Sequence, residues 1–221
     1  MSTDFSYDPV TAVDEAAATG KTAEIFADIR ATLGIPLVTS IWRGLAGMDN
    51  SLQVTWRAAK PIYGSGQVKP ALDRVVAATG LPPTEVVTPA QLARAGIDRQ
   101  AFHHIRTIVR AYNRSNGMNL VALAALICDE PEPRPEAVTI RAPQWVRYPA
   151  LLAREAIADD TWDLVRRVNA FGARGIDANV ATLWRHLAHW PGFLTLAHDA
   201  LAPRQADGSI AAATRRMVKL A

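Results

Sequence analysis

Cysteine is almost missing from this sequence: Cys128 is the single one in 221 residues. One thiol cannot close an internal disulfide, so the chain reads as a protein of a reducing compartment, the cytoplasm. At the end of the apolar run LVALAALIC, that thiol reads as a buried packing group rather than a nucleophile. Basic blocks are missing too. The 24 Lys and Arg are scattered among 21 acids, and a net charge of +3 so dispersed gives no footprint for nucleic acid or a membrane surface. No apolar run reaches membrane-spanning length. The polar, acidic start MSTDFSYDPVTAVDEA has no signal-peptide pattern. Glycine-rich phosphate loops and His/Cys clusters at metal spacing are absent. His103 and His104 are adjacent and point apart on a helix, and His186 and His189 lack an evident third ligand. No metal site is therefore evident in the sequence.

What is present is helix-forming material. About half the residues are apolar and a fifth charged (49% and 20%), Ala is abundant and β-branched runs are few. The expectation is an all-α protein with no strand. It is organised around one stretch and its echo. Residues 38–63, VTSIWRGLAGMDNSLQVTWRAAKPIY, align without a gap on residues 180–205, VATLWRHLAHWPGFLTLAHDALAPRQ. Val38 meets Val180, Trp42 meets Trp184, Arg43 meets Arg185, Leu52 meets Leu194 and Pro61 meets Pro203. The register continues through Gly66 and Gly208 to Val76 and Val218. One fixed offset of this kind is the signature of an internal repeat.

The division that follows is an arm at 1–14, a first helical repeat at 15–128, a Pro-rich connector at 129–149 and a second repeat at 150–221. In the first repeat, Ile25, Ile29 and Leu33 fall at helical spacing before a stop at Gly34. Two short helices meet near Asp49-Asn50, and a third runs over 69–78 to Gly80. Thr88-Pro89 reads as a cap with Pro in the first turn, and Gly96 ends the short helix after it. Residues 98–112 are amphipathic, with Phe102, Ile105, Ile108 and Val109 on one face. Asn113 to Asn116 read as a polar interruption, after which Leu120 to Cys128 should be the most buried helix. The connector should be extended, with helix resuming after Ala150. The second repeat ends at Ala221 without a counterpart to helices 98–128. It should leave apolar faces that a homo-oligomer would cover.

The string ATGKTAEIFADIRATLGIPLV, then WRGLA, then Trp56-Arg57, resembles the DehI family of group I 2-haloacid dehalogenases. RAYNRSNGMNLVALAAL (residues 110–126) and TLWRHLAHWP resemble further segments of that family. The resemblance implies tandem all-helical repeats and displacement of halide from a small 2-haloalkanoic acid. In such enzymes water attacks directly, activated by an aspartate of the second copy, without metal or cofactor. The partner implied is a small carboxylic acid. Carried over residue by residue, the substrate-pocket asparagine falls on Asn116. Two aromatic pocket positions fall on Leu37 and Ser40. A small hydroxyl residue falls on Thr182, and the catalytic aspartate falls on Leu183, which cannot deprotonate water. Asp177 and His186 are the groups able to replace it. Asp177 also reads as a helix cap, and His186 as a surface or interface residue. The alternative function is a non-catalytic protein that binds a small carboxylate or plays a structural role.

The unit also looks like the AhpD-like fold. Redox members of that fold carry Cys-x-x-Cys after the Asn-Gly. Here Met118 and Val121 stand at those positions, which removes disulfide chemistry.

Overall fold

The computed structural model describes residues 12–80, 86–128, 143–172 and 180–221. Every regular element among them is helical, so the protein is all-α. None of these helices is long and apolar enough to cross a membrane. The described residues form two compact units interleaved along the chain. One holds 12–80, 111–128, 143–145 and 217–221. The other holds 86–110, 146–172 and 180–216.

In the first unit, α1 (Gly20–Leu33) and α2 (Ser40–Ala46) pack on α3 (Ser51–Gly64), and α4 (Val68–Thr79) follows. The helix α1 ends as its sequence suggests. Gly34 takes φ 61°, and the Ile35 N–H returns to the Arg30 carbonyl at 3.1 Å. Its terminal carbonyls find side-chain donors: Arg114 Nε bonds Leu33 O at 2.9 Å and Trp145 Nε1 bonds Gly34 O at 3.1 Å. The turn between α2 and α3 places Asn50 at φ 53°, a left-handed conformation that asparagine tolerates. Phe26, Ile29, Leu33, Trp42 and Leu52 are fully buried in one cluster, each contributing about 1.5–3 kcal/mol by burial. Residues before α1 are tied to this core. Val13 exchanges two hydrogen bonds with Arg43, and Glu15 accepts from Arg30 and from the Val38 N–H.

The second unit contains α5 (Pro89–Arg94), α7 (Asp159–Asn169), α8 (Thr182–His186), a 3-10 turn at Leu187–His189 and α9 (Pro191–Ala206). Thr88 and Gln91 form a full capping box at the start of α5. α7 packs on α8 and α9. The Ala181 N–H before α8 is held by the buried Asn169 Oδ1 at 2.8 Å. The helix α10 (Ser209–Leu220) closes the chain.

Three expectations are corrected. First, Asn113 to Asn116 do not interrupt anything: α6 runs unbroken over Arg99–Ala125, giving 99–110 to one unit and 111–125 to the other. No proline breaks the stretch, and Arg114 and Ser115 make tertiary hydrogen bonds instead. Gly117 lies within this helix, and Leu72 comes close to it, its side-chain carbon 2.7 Å from where a Cβ would be. Second, Leu120 to Cys128 is not the most buried stretch. Only Ala122 is buried there, Ile127 is 84% exposed and Cys128 is exposed. Third, helix does not resume at Ala150. Residues 150–153 are irregular, one 3-10 turn covers Arg154–Ala156, and α7 starts at Asp159. Most of the Pro-rich connector, 129–142, lies outside the described residues. Exposure of Cys128 carries a prediction. The native protein should react stoichiometrically with a disulfide reagent such as DTNB within minutes, without denaturant. Labelling that required unfolding would restore the buried thiol.

Candidate functional site

Two polar clusters stand out, one in each unit. The first is built on Asn119, which is buried on α6. Its Oδ1 accepts from Trp42 Nε1 at 3.2 Å and from the Tyr63 hydroxyl at 2.8 Å, and its Nδ2 donates to Thr39 Oγ1 at 3.1 Å. Thr39 Oγ1 lies 3.3 Å from the buried Ser115 Oγ. Trp42, Trp56 and Tyr63 pack around this hub, with Trp42 edge-on to Trp56 at 5.3 Å and 84°. Burial pushes the Tyr63 phenol far above its ordinary range, so it stays neutral. These groups hydrogen-bond one another, which is how buried polar atoms are stabilised in a low-dielectric core.

The second cluster lies on α8. His186 is 3% exposed, and its Nε2 sits 2.8 Å from the Pro149 carbonyl oxygen. A carbonyl only accepts, so Nε2 carries the proton and Nδ1 the lone pair of the neutral ring. Burial, with Arg185 and His189 nearby, holds the imidazole below its ordinary pKa against the raising effect of that hydrogen bond. Above neutrality His186 is therefore an uncharged base. Thr182, one turn before it, is buried. Its Oγ1 has no hydrogen-bond partner among the described residues.

The sequence-predicted positions divide between these places. Leu37 is buried just before α2, and Ser40 is the half-buried first residue of that helix. Asn116 is exposed on α6, while Asn119, three residues on, is the buried asparagine. Thr182, half-buried Leu183 and His186 share α8. Asp177 lies outside the described residues. The sequence reading missed Thr39, Ser115 and Asn119. The signal was the phase of α6: Ile108, Ser115, Asn119 and Ala122 continue one inward stripe, and Asn116 falls off it.

The second unit also carries an open groove of about 590 Å³ beside α7 and α9. Asp163, Arg166, Arg167, Phe171 and His198 line it, and none of the sequence-predicted positions among the described residues does. Among the described residues, no group of three or more His, Cys, Asp or Glu side chains could hold a metal ion.

No protein-family profile matches the chain. The chain is similar to a configuration-inverting 2-haloacid dehalogenase of Pseudomonas sp. (strain 113). The identity is 26% over 230 aligned residues, covering 95% of this chain and 72% of that enzyme. A distant dehalogenase-like relationship therefore extends along nearly all of the chain.

Proposed function

We propose that this chain is a dehalogenase-like helical protein of two tandem units whose ligand is a small 2-substituted carboxylic acid. The observation that carries the reading is the similarity to a 2-haloacid dehalogenase along 95% of the chain. Local structure supports the repeat. The offset that lays Val38 on Val180 also lays Gly66 at φ 74° on Gly208 at φ 76°, and buried Leu52 on buried Leu194. It lays Pro61 inside α3 on Pro203 inside α9. Thr182 supports the ligand class, because a buried hydroxyl without a partner among the described residues is a donor that a carboxylate can take.

The chemistry of the class is displacement of halide from the α-carbon by water. Water needs a base, and the base position is Leu183. An alkyl side chain has no lone pair, so activation of water by this position is gone. His186 keeps a basic Nδ1 and stands three residues on, near the same helix face. A second reading, favoured by Leu183 itself, is a non-catalytic small-carboxylate binder on the same scaffold.

Halide release from D- and L-2-chloropropionate by wild type and Leu183→Asp tests both readings. General-base catalysis contributes about 10²–10⁴-fold, so the variant should release halide at least about a hundredfold faster than wild type. Equal release by both proteins would assign the base elsewhere, with His186→Gln as the next variant. Release by neither would leave binding or structure as the function and sink the hydrolase reading.

A further inference from the structure

The groove beside α7 and α9 lies within one unit and holds about 590 Å³, a size that suits a small-molecule ligand. α7 buries Leu164, Val165 and Val168, so its charged residues fall on the other side of the helix. Asp160, Asp163, Arg166 and Arg167 reach the groove there, and Phe171 and His198 line it with them. The two rings lie 5.3 Å apart and 34° from parallel, which makes an aromatic wall. His198 Nδ1 faces Asp199 Oδ1 at 3.2 Å.

The charges of α7 are spaced to pair and do not. Arg166 and Arg167 follow Asp163 by three and four residues, where opposite charges on a helix meet. Elsewhere the same spacings do close. Lys21 reaches Glu24 at 3.0 Å, Lys69 reaches Asp73 at 2.6 Å and Arg204 reaches Asp207 at 3.4 Å. Among the described residues no ion pair joins Asp163 to either arginine. Asp160 accepts from the Thr161 N–H through Oδ1 at 2.6 Å. The groove therefore presents two guanidiniums and two carboxylates beside an aromatic wall.

We propose that this groove binds a free α-amino acid with an aromatic side chain. Such a ligand carries both charges on one carbon, so it fits between a carboxylate and a guanidinium that do not reach each other. Its carboxylate takes parallel hydrogen bonds from a guanidinium fork. Its ammonium donates to Asp163, and its ring packs on Phe171 and His198. A simple anion would meet Asp160 and Asp163 as like charges, and a simple cation would meet the two arginines in the same way. The groove shares no residue with Thr182, Leu183 and His186 of α8, so it stands apart from the small-acid reading.

The test is calorimetric titration of the full chain with L-phenylalanine. Beside it run 3-phenylpropionate, 2-phenylethylamine and L-alanine, which lack the ammonium, the carboxylate and the ring in turn. L-phenylalanine should bind with a Kd of about 1 mM or below, and each analogue at least about tenfold more weakly. Asp163→Asn and Arg167→Gln change exposed side chains and should fold as wild type does. Each should weaken L-phenylalanine binding at least about tenfold. The ring-proton resonances of His198, identified by their loss in His198→Gln, should shift as wild type is titrated. No binding of L-phenylalanine at about 10 mM overturns the proposal, as does binding that both substitutions leave unchanged. Binding of 3-phenylpropionate as tight as that of L-phenylalanine, and lost in Arg167→Gln, would make the groove a plain anion site and overturn the amino-acid assignment. Leu183→Asp should leave the affinity for L-phenylalanine unchanged, which keeps this outcome separate from halide release.

Discussion

Gly192→Ala should be among the most destabilising single substitutions in the second unit, costing about 3 kcal/mol or more. Gly192 follows Pro191 at the start of α9. A Cβ there would lie 2.1 Å from the Ala95 carbonyl oxygen. The obstacle is backbone, so no rotamer change relieves it. Nor is that backbone free to move. Gly96 turns at φ 73°, and the Ile97 N–H closes the end of α5 on the Leu92 carbonyl at 2.9 Å. Shifting Ala95 would therefore drag Ile97 out of the core, where it is 6% exposed. At about 2–4 °C per kcal/mol for a chain of this size, Tm should fall by roughly 10 °C. Gly44→Ala is the control. It lies inside α2, a Cβ there meets no described heavy atom within 4 Å, and Ala should stabilise by about 0.5–1 kcal/mol. Equal Tm values for Gly192→Ala and wild type would mean that α9 and the end of α5 are not in this contact.

The contrast with Gly117 shows what a sequence reveals about glycine. Both glycines sit where another chain element comes close, and neither has a positive φ. From sequence, Gly192 beside Pro191 reads as a turn signal and Gly117 after four polar residues reads as a break. In the fold both are helical, and both are there for close approach. What was legible was local: Gly34, Gly80 and Gly96 as helix stops, Thr88 as a cap, and the inward phase of Ile25, Ile29 and Leu33. These follow from the backbone and from nearest neighbours. What was not legible was tertiary. The polar run at 113–116 looks like a break only if polar residues belong in loops. Arg114 instead closes the end of α1, and Ser115 reaches Thr39. Which asparagine of α6 is buried was not legible for the same reason. Asn116, which the family resemblance singles out, is exposed, and the asparagine on the inward stripe is Asn119. On α8 the sequence placed Thr182, Leu183 and His186 on one helix. It gave no hint that the partner of His186 would be Pro149, because that pairing spans 37 residues of separation and uses a carbonyl that any residue supplies.

Asn119→Leu should cost about 3–5 kcal/mol, the largest loss expected from a single polar side chain in the first unit. The leucine fills a similar volume, so the loss is not a cavity effect. It comes from the groups left behind. Trp42 Nε1 and the Tyr63 hydroxyl lose a shared acceptor while remaining buried, and each orphaned group costs about 1–3 kcal/mol. Thr39 Oγ1 loses a donor as well. Removing one orphan should recover part of the cost. Tyr63→Phe in the Asn119→Leu background should be milder than in wild type, with a coupling energy of about 1 kcal/mol or more in the double-mutant cycle. Asn119→Asp separates acceptor from donor. The carboxylate can still accept from Trp42 and Tyr63, but it faces Thr39 with an oxygen and buries a charge. It should be destabilised at neutral pH and gain on wild type as pH falls and the carboxyl takes up a proton, because the protonated form regains a donor and loses the charge. Urea denaturation at pH 7.5 and 5.0 measures all of these. The near-UV circular dichroism of the edge-on Trp42–Trp56 pair reports whether the aromatic packing survives. A loss under about 1 kcal/mol for Asn119→Leu, with no coupling to Tyr63, would show that the hub contributes nothing beyond the packing around it.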